Sequence, residues 1–192
     1  IENFREQNKI KNTLKIPSKY FLAAGRLTRQ KNFSYLIDEF YEFSKNNKDV
    51  NLLIFGEGEN KENLLNQIKS KSLGNRVFLM GHTKNIYYYM KKASAFILSS
   101  LWEEPGFVII EAALSNLLII SSDCPNGPKE FLSDGKAGFL FKNNKRGELK
   151  IKLEEFHNNI SSEDIKLKKI NAKKNCQKYT MFRHNIYLNA II

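Results

Sequence analysis

Residues 20–32 read YFLAAGRLTRQKN: a short apolar run, a glycine, then a basic loop. The run YFLAAG (20–25) has the unbroken apolar character of a strand buried on both faces, as in a parallel sheet. Gly25 lets the backbone turn tightly where the strand ends. FSYLIDEFYEFSKN (33–46) then places Phe33, Leu36, Ile37, Phe40 and Phe43 at helical spacing. This strand–loop–helix unit recurs along the chain.

Five more strands follow from the same pattern: VNLLIFG (50–56), RVFLMG (76–81), SAFILSS (94–100), LLIISSD (117–123) and AGFLF (137–141). The segments between them read as helices: KENLLNQIKSKSLG (61–74) with Gly74 as its stop, NIYYYMKKA (85–93), GFVIIEAALSN (106–116) and GPKEFLSDG (127–135). From about Arg146 the pattern is helical and polar, ending in the segment MFRHNIYLNAII. Strands alternating with helices predict an α/β fold, a Rossmann-like parallel six-stranded sheet with helices on both faces. Residues 20–145 are the expected domain, and 146–192 are helices packing on it. Residues 1–19, a polar stretch that begins at Ile1, read as linker from a preceding domain. In such sheets ligands bind at the C-terminal strand ends, so chemistry is expected in the loops that follow strands.

Composition narrows the classes. The chain has 192 residues, 42% hydrophobic and 27% charged, which excludes a disordered tail. No apolar run approaches the roughly 18 residues of a membrane span. Cys124 and Cys176 show no metal-ligand spacing and read as reduced thiols of a cytosolic protein. The net charge of +11 invites a nucleic-acid, membrane-surface or phosphorylated-ligand reading. Its distribution separates these: residues 142–192 carry 12 basic and 5 acidic side chains, against 19 and 15 before them. His82, His157 and His184 lack ligand spacing, and neither a Ser–His–acid triad nor a Walker lysine–serine pair is signalled.

Four post-strand loops stand out. In GRLTRQKN (25–32), Arg26 and Lys31 are either a solvated basic loop or a pair that neutralises a diphosphate, Arg by its planar fork and Lys as a point charge. In FGEGEN (55–60), Gly56 and Gly58 make either a plain tight turn or a backbone approach to a phosphate or sugar. In LSSLWEEPGFVIIEAA (98–113), Glu103 sits above a strand end, free to reach a ligand, and Glu111 lies inside an apolar helix. A carboxylate there needs a partner, either an internal cation or a ligand diol. Gly106, Phe107 and Val108 open that helix, where N–H groups and the helix dipole favour an anion. In SSDCPNGPKEFLSDGKAGFLF (121–141), Lys129 and Glu130 read as structural or as support behind the site residues.

These motifs, in this order, resemble the C-terminal domain of retaining GT-B glycosyltransferases, the glycosyl transferases group 1 family. The resemblance runs from Tyr20 to Phe141 and rests on GRLTRQKN, FGEGEN, VFLMGHTKNIYYYMKKASAFILSS, the E-x7-E stretch from Glu103 to Glu111, and SSDCPNGPKEFL with DGKAGFLF. It implies an enzyme that transfers a hexose from a nucleotide-diphosphate sugar, UDP-sugar foremost. The acceptor, carbohydrate or lipid-linked, would be held by a further, N-terminal domain, and surface polysaccharide (capsule or lipopolysaccharide) or lipid-linked glycan synthesis is the implied setting. By motif position, Arg26 and Lys31 would grip the diphosphate, Glu111 the ribose hydroxyls and Glu103 the donor sugar. Gly25, Gly56, Gly106, Phe107 and Val108 would line the nucleotide-sugar site, and Gly81, His82 and Thr83 would flank the base. The cations would do the work of a divalent metal, so neither metal nor cofactor is expected. A cytoplasmic enzyme, peripheral on the inner membrane face, fits this picture. Ser94, where the family often has Asp, and Asn116–Leu117, where it often has a small pair, depart from the pattern.

Two other readings compete. One is another enzyme of the same fold, such as a nucleotide-sugar 2-epimerase. The other is a non-enzymatic module whose basic tail binds membrane or nucleic acid. The tail carries no nucleic-acid-binding motif, and KLKKINAKK reads either as a solvated helical face or as a membrane contact.

Overall fold

Every residue of the first strand, β1 (Tyr20–Ala24), is buried in the computed structural model, which describes residues 16–104 and 106–179. Pleating divides its side chains: Phe21 and Ala23 enter one apolar cluster, and Tyr20, Leu22 and Ala24 the other. A strand with two apolar faces needs cover on both sides, and the rest of the chain supplies it.

The other strands are β2 (Asn51–Phe55), β3 (Val77–Gly81), β4 (Ala95–Leu98), β5 (Leu118–Ser122) and β6 (Phe139–Phe141). All pairings are parallel, in the order β3-β2-β1-β4-β5-β6. The six-stranded parallel sheet read from the sequence is therefore the observed one. Helices α1 (Phe33–Ser44), α2 (Lys61–Ser70) and α6 (Glu148–Asn158) cover the first cluster. The short α3 (Ile86–Met90), α4 (Phe107–Leu114) and the single turn α5 (Pro128–Phe131) cover the second. The last long helix, α7 (Glu163–Asn175), starts against the first cluster with Ile165 and ends in the second with Ala172.

The order decides where a ligand fits. From β1 the chain goes outward to β2 and β3, then returns to place β4 on β1's other side. The loops leaving β1 and β4 diverge there, opening a crevice at the strand ends.

Two local expectations change. Helix α2 ends at Ser70, not at Gly74. Ser72 takes the left-handed conformation (φ 55°), and Leu73 N–H donates to the Ile68 carbonyl at 2.9 Å, satisfying the last turn without the glycine. Asn116 likewise adopts a left-handed φ of 58°, which an Asn side chain tolerates. The polar tail also has an apolar side: Leu149, Leu153 and Phe156 of α6 are buried, and the Phe156 ring lies 6.0 Å from that of Phe21. Glu39 of α1 is buried and caps α6, accepting from Gly147 N–H at 2.8 Å and Lys150 N–H at 3.0 Å. The lead-in up to residue 15, Pro105 and the segment from 180, His184 included, lie outside the described residues.

Candidate functional site

The loop after β1 is built on the loop after β2. Gly25 N–H donates to the Phe55 carbonyl, and Leu27 N–H to that of Glu57, both at 2.9 Å. The two backbones run so close that a Cβ on Gly56 (φ 138°) would lie 1.9 Å from the Gly25 oxygen. One on Gly58 would lie 2.6 Å from the Leu27 oxygen. The glycines of FGEGEN thus serve this approach, the tight-turn reading, although Gly56 also borders the crevice. A short turn, Arg29–Lys31, then aims Lys31 toward β4.

The loop after β4 is held by hydroxyls and amides from four segments. Ser99 Oγ donates to the Lys31 carbonyl (2.7 Å), Leu101 N–H to that of Gln30 (2.8 Å) and Gln30 Nε2 to that of Trp102 (3.0 Å). From the other side, Ser122 Oγ donates to the Ser100 carbonyl (2.7 Å) and Asn143 Nδ2 to that of Leu101 (2.9 Å). This lattice fixes Glu103. Its carboxylate receives Lys31 Nζ at 2.6 and 2.9 Å and the Ser100 hydroxyl. Glu103 is therefore not free in its loop, as the sequence suggested. It is buried and bonded to the lysine that the motif pattern assigns to the diphosphate. The reason is desolvation: a buried carboxylate needs a cation, and Lys31 is the one at hand.

Between these loops lies a cleft of about 650 Å³. Gly25, Arg26, Lys31 and Gly56 form one side, and Glu103, Gly106, Phe107, Val108 and Glu111 the other. His82 and Thr83, next to Gly81, close the β3 end. The structure thus brings the residues singled out from the sequence to one place. Arg26 is exposed, and no described residue bonds its guanidinium. Glu111 is half-buried and accepts no hydrogen bond from a described residue, so burial raises its carboxyl pKa. Burial, and then the charge of Glu111, raise the pKa of the Tyr87 phenol. Gly106 leaves room beside Glu103, since a Cβ there would lie 3.2 Å from Oε2. Glu104 is exposed, and Lys129 pairs with Asp134 at the surface.

The cleft is not simply positive. Glu57, Glu103, Glu104 and Glu111 line it along with Arg26 and Lys31. Two of the four are neutralised, Glu103 by Lys31 and Glu57 by Lys61 at 3.1 Å. An ammonium has three N–H donors. With two contacts to Glu103, Lys31 keeps one for an anion. No group of three His, Cys, Asp or Glu side chains that could hold a metal occurs among the described residues.

The serines were missed in the sequence, although a signal was present. Polar pairs close two apolar strands, Ser99–Ser100 after β4 and Ser121–Ser122 at the end of β5. Hydroxyls at the ligand end of a parallel sheet mark a loop lattice.

Comparison with known proteins places the fold. A Staphylococcus aureus TarM variant crystallised with fondaparinux, α-GlcNAc-glycerol and UDP superposes with a TM-score of 0.82 at 26% identity, over 94% of this chain and 37% of that one. The C-terminal domain of a glycosyl transferase group 1 protein from Francisella tularensis superposes with a TM-score of 0.75 at 18% identity, covering 94% of this chain and 92% of that one. In sequence, a glycosyltransferase of Methanocaldococcus jannaschii is 40% identical over 58% of this chain and 28% of its own length. The Campylobacter jejuni N-acetylgalactosamine-N,N'-diacetylbacillosaminyl-diphospho-undecaprenol 4-alpha-N-acetylgalactosaminyltransferase is 33% identical over 65% and 33%. The chain thus spans about a third of the length of these two relatives. The family description "Glycosyl transferases group 1" matches residues 4–175, nearly all of the chain, and with the GT-B sheet and its cleft this makes the chain a member of the group 1 glycosyltransferases.

Proposed function

We propose that the chain is the donor-binding half of a retaining sugar transferase that uses a nucleotide-diphosphate sugar, UDP-sugar foremost. Residues 20–145 form the donor domain, α6 and α7 cover it, and the acceptor would be held by a further domain of the whole enzyme. The observation that carries this is the half-buried Glu111 carboxylate in the same cleft as Arg26, neither of them bonded by a side chain among the described residues. A ribose diol supplies the donors that Glu111 lacks. A diphosphate supplies the anion that Arg26 takes bidentately.

The residues then divide the chemistry. Cleavage of the glycosidic bond puts charge on the leaving diphosphate. Arg26, the remaining Lys31 donor and the start of α4 at Gly106, Phe107 and Val108 stabilise that charge, so no metal is required of the protein. Glu103 Oε2 has a lone pair left beside Gly106 and accepts one sugar hydroxyl. Gly25 and Gly56 keep the floor low, and Gly81, His82 and Thr83 border the base. UDP bound in the S. aureus structure supports the choice of nucleotide. The undecaprenol-linked acceptor in the name of the C. jejuni relative supports a lipid-linked or surface-polysaccharide acceptor. The cytoplasm, where nucleotide sugars are made, is the proposed compartment, and the free buried thiols of Cys124 and Cys176 suit it.

Titration calorimetry of the chain with UDP, GDP and ADP tests the donor reading. Binding is expected, UDP the tightest. No heat with any of the three rejects it.

A further inference from the structure

Helix α7 is apolar on two sides. Ile165, Ala172 and Cys176 are buried and fasten it and the turn that follows to the sheet. Leu167 and Ile170 are 56% and 50% exposed, one turn apart on the outer side, and take no part in either core cluster. Lys166, Lys173 and Lys174, on the same side, are exposed, whereas Lys168 turns inward to Asp164 and the Gly135 carbonyl. Lys173 and Lys174 form no ion pair with a described residue, and Lys166 pairs only with Glu163. The cleft does not use these charges.

We propose that this outer face of α7 docks on an anionic lipid surface, with Leu167 and Ile170 entering the headgroup region and Lys166, Lys173 and Lys174 meeting lipid phosphates. Charge complementarity selects an anionic occupant, and the apolar pair selects a bilayer. A nucleic-acid backbone offers nothing to Leu167 and Ile170. Two side chains also fall far short of the roughly 800 Å² per partner of a stable protein interface. Lysine stems lie along apolar surface while their heads stay at the polar boundary, the arrangement this face presents. The position has a use. The turn that follows α7 brings Tyr179 to a small pocket that it lines with Gly106 and Ile109, at the start of the helix bordering the cleft. Docking would hold the cleft beside the bilayer. The inference is independent of the donor reading, because Lys166, Leu167, Ile170, Lys173 and Lys174 do not line the cleft.

Sedimentation of the 192-residue chain with phosphatidylcholine vesicles, with and without phosphatidylglycerol, tests it. Binding is expected only with phosphatidylglycerol, weakening as salt rises. Two double variants separate the contributions: Leu167→Ser with Ile170→Ser, and Lys173→Glu with Lys174→Glu. Each should lower the vesicle partition coefficient, the charge reversal by more than about tenfold. Melting curves and UDP titration, which these positions should leave unchanged, report folding. Equal pelleting with neutral vesicles overturns the proposal. So does a serine variant that pellets like the wild type, which would mark generic polyanion attraction.

Discussion

Lys31 and Glu103, 72 positions apart in sequence, form an ion pair in which Nζ approaches both carboxylate oxygens, at 2.6 and 2.9 Å, with side chains only 13% and 3% exposed. The pair welds the β1 loop to the β4 loop at the crevice. Lys31→Ala leaves Glu103 buried with only a hydroxyl partner and should cost about 3 kcal/mol in urea unfolding. Glu103→Gln should cost less, since the freed ammonium sits nearer the surface and can turn to water. Ser100→Ala should cost about 1 kcal/mol and couple with Glu103→Gln by at least about 0.5 kcal/mol in a double-mutant cycle. Strict additivity would deny that the hydroxyl orients the carboxylate.

Glu111 behaves in the opposite way. Burial raises its pKa, with no cation among the described residues to offset the cost. A carboxyl with a raised folded pKa binds protons more tightly when folded. Its charge therefore destabilises the fold progressively as pH rises from the ordinary value, about 4.3, through the folded value. Glu111→Gln should remove that loss and leave the variant as stable as wild type, or more so, at neutral pH. It should also weaken UDP binding by roughly 10- to 100-fold, the worth of a charge-assisted hydrogen bond. Paired melting curves at acid and neutral pH, with UDP calorimetry, check both halves.

Two of the loop glycines with wide φ angles, Gly56 and Gly127, should differ sharply. Gly56→Ala drives a Cβ into the Gly25 carbonyl and should cost more than about 3 kcal/mol. A Cβ on Gly127, at φ 125°, would meet nothing within 4 Å, so Gly127→Ala carries backbone strain alone, about 1–3 kcal/mol. Denaturant midpoints of the two variants make the comparison.

Glu39→Gln turns one of the two acceptors capping α6 into an amide donor that faces an N–H group. A loss of about 2–3 kcal/mol is expected. Native-state hydrogen exchange should show α6 losing protection before β1. Loss spread evenly over both would mean that Glu39 supports the whole domain rather than this helix.

The sheet and the cleft's position were legible because they rest on local signals: apolar runs such as LLIF in β2, glycines at strand ends, and the rule that ligands meet strand ends. What escaped depends on contacts distant in sequence. Glu39 looks like any acidic residue on an amphipathic helix until Gly147 folds over it. Lys31 and Glu103 each suggest a ligand partner when read alone, and only the adjacency of β1 and β4 makes them partners. Gly74 looked like the obvious helix stop, yet hydrogen bonding in the last turn of α2 put the left-handed residue at Ser72.

The closure of the first core cluster by α6 bears on how the chain is made. Phe21 rests on Phe43, with ring centres 5.6 Å apart, and on Phe156 at 6.0 Å. At ribosomal rates of about 5–20 residues per second, the stretch from Phe43 to Phe156 takes roughly 6–23 s to emerge. During that interval the nascent β1–α1 unit lacks its last cover and presents aromatic surface to its surroundings. Chaperone capture at this stage, and aggregation of chains truncated before α6, are the vulnerabilities this architecture carries.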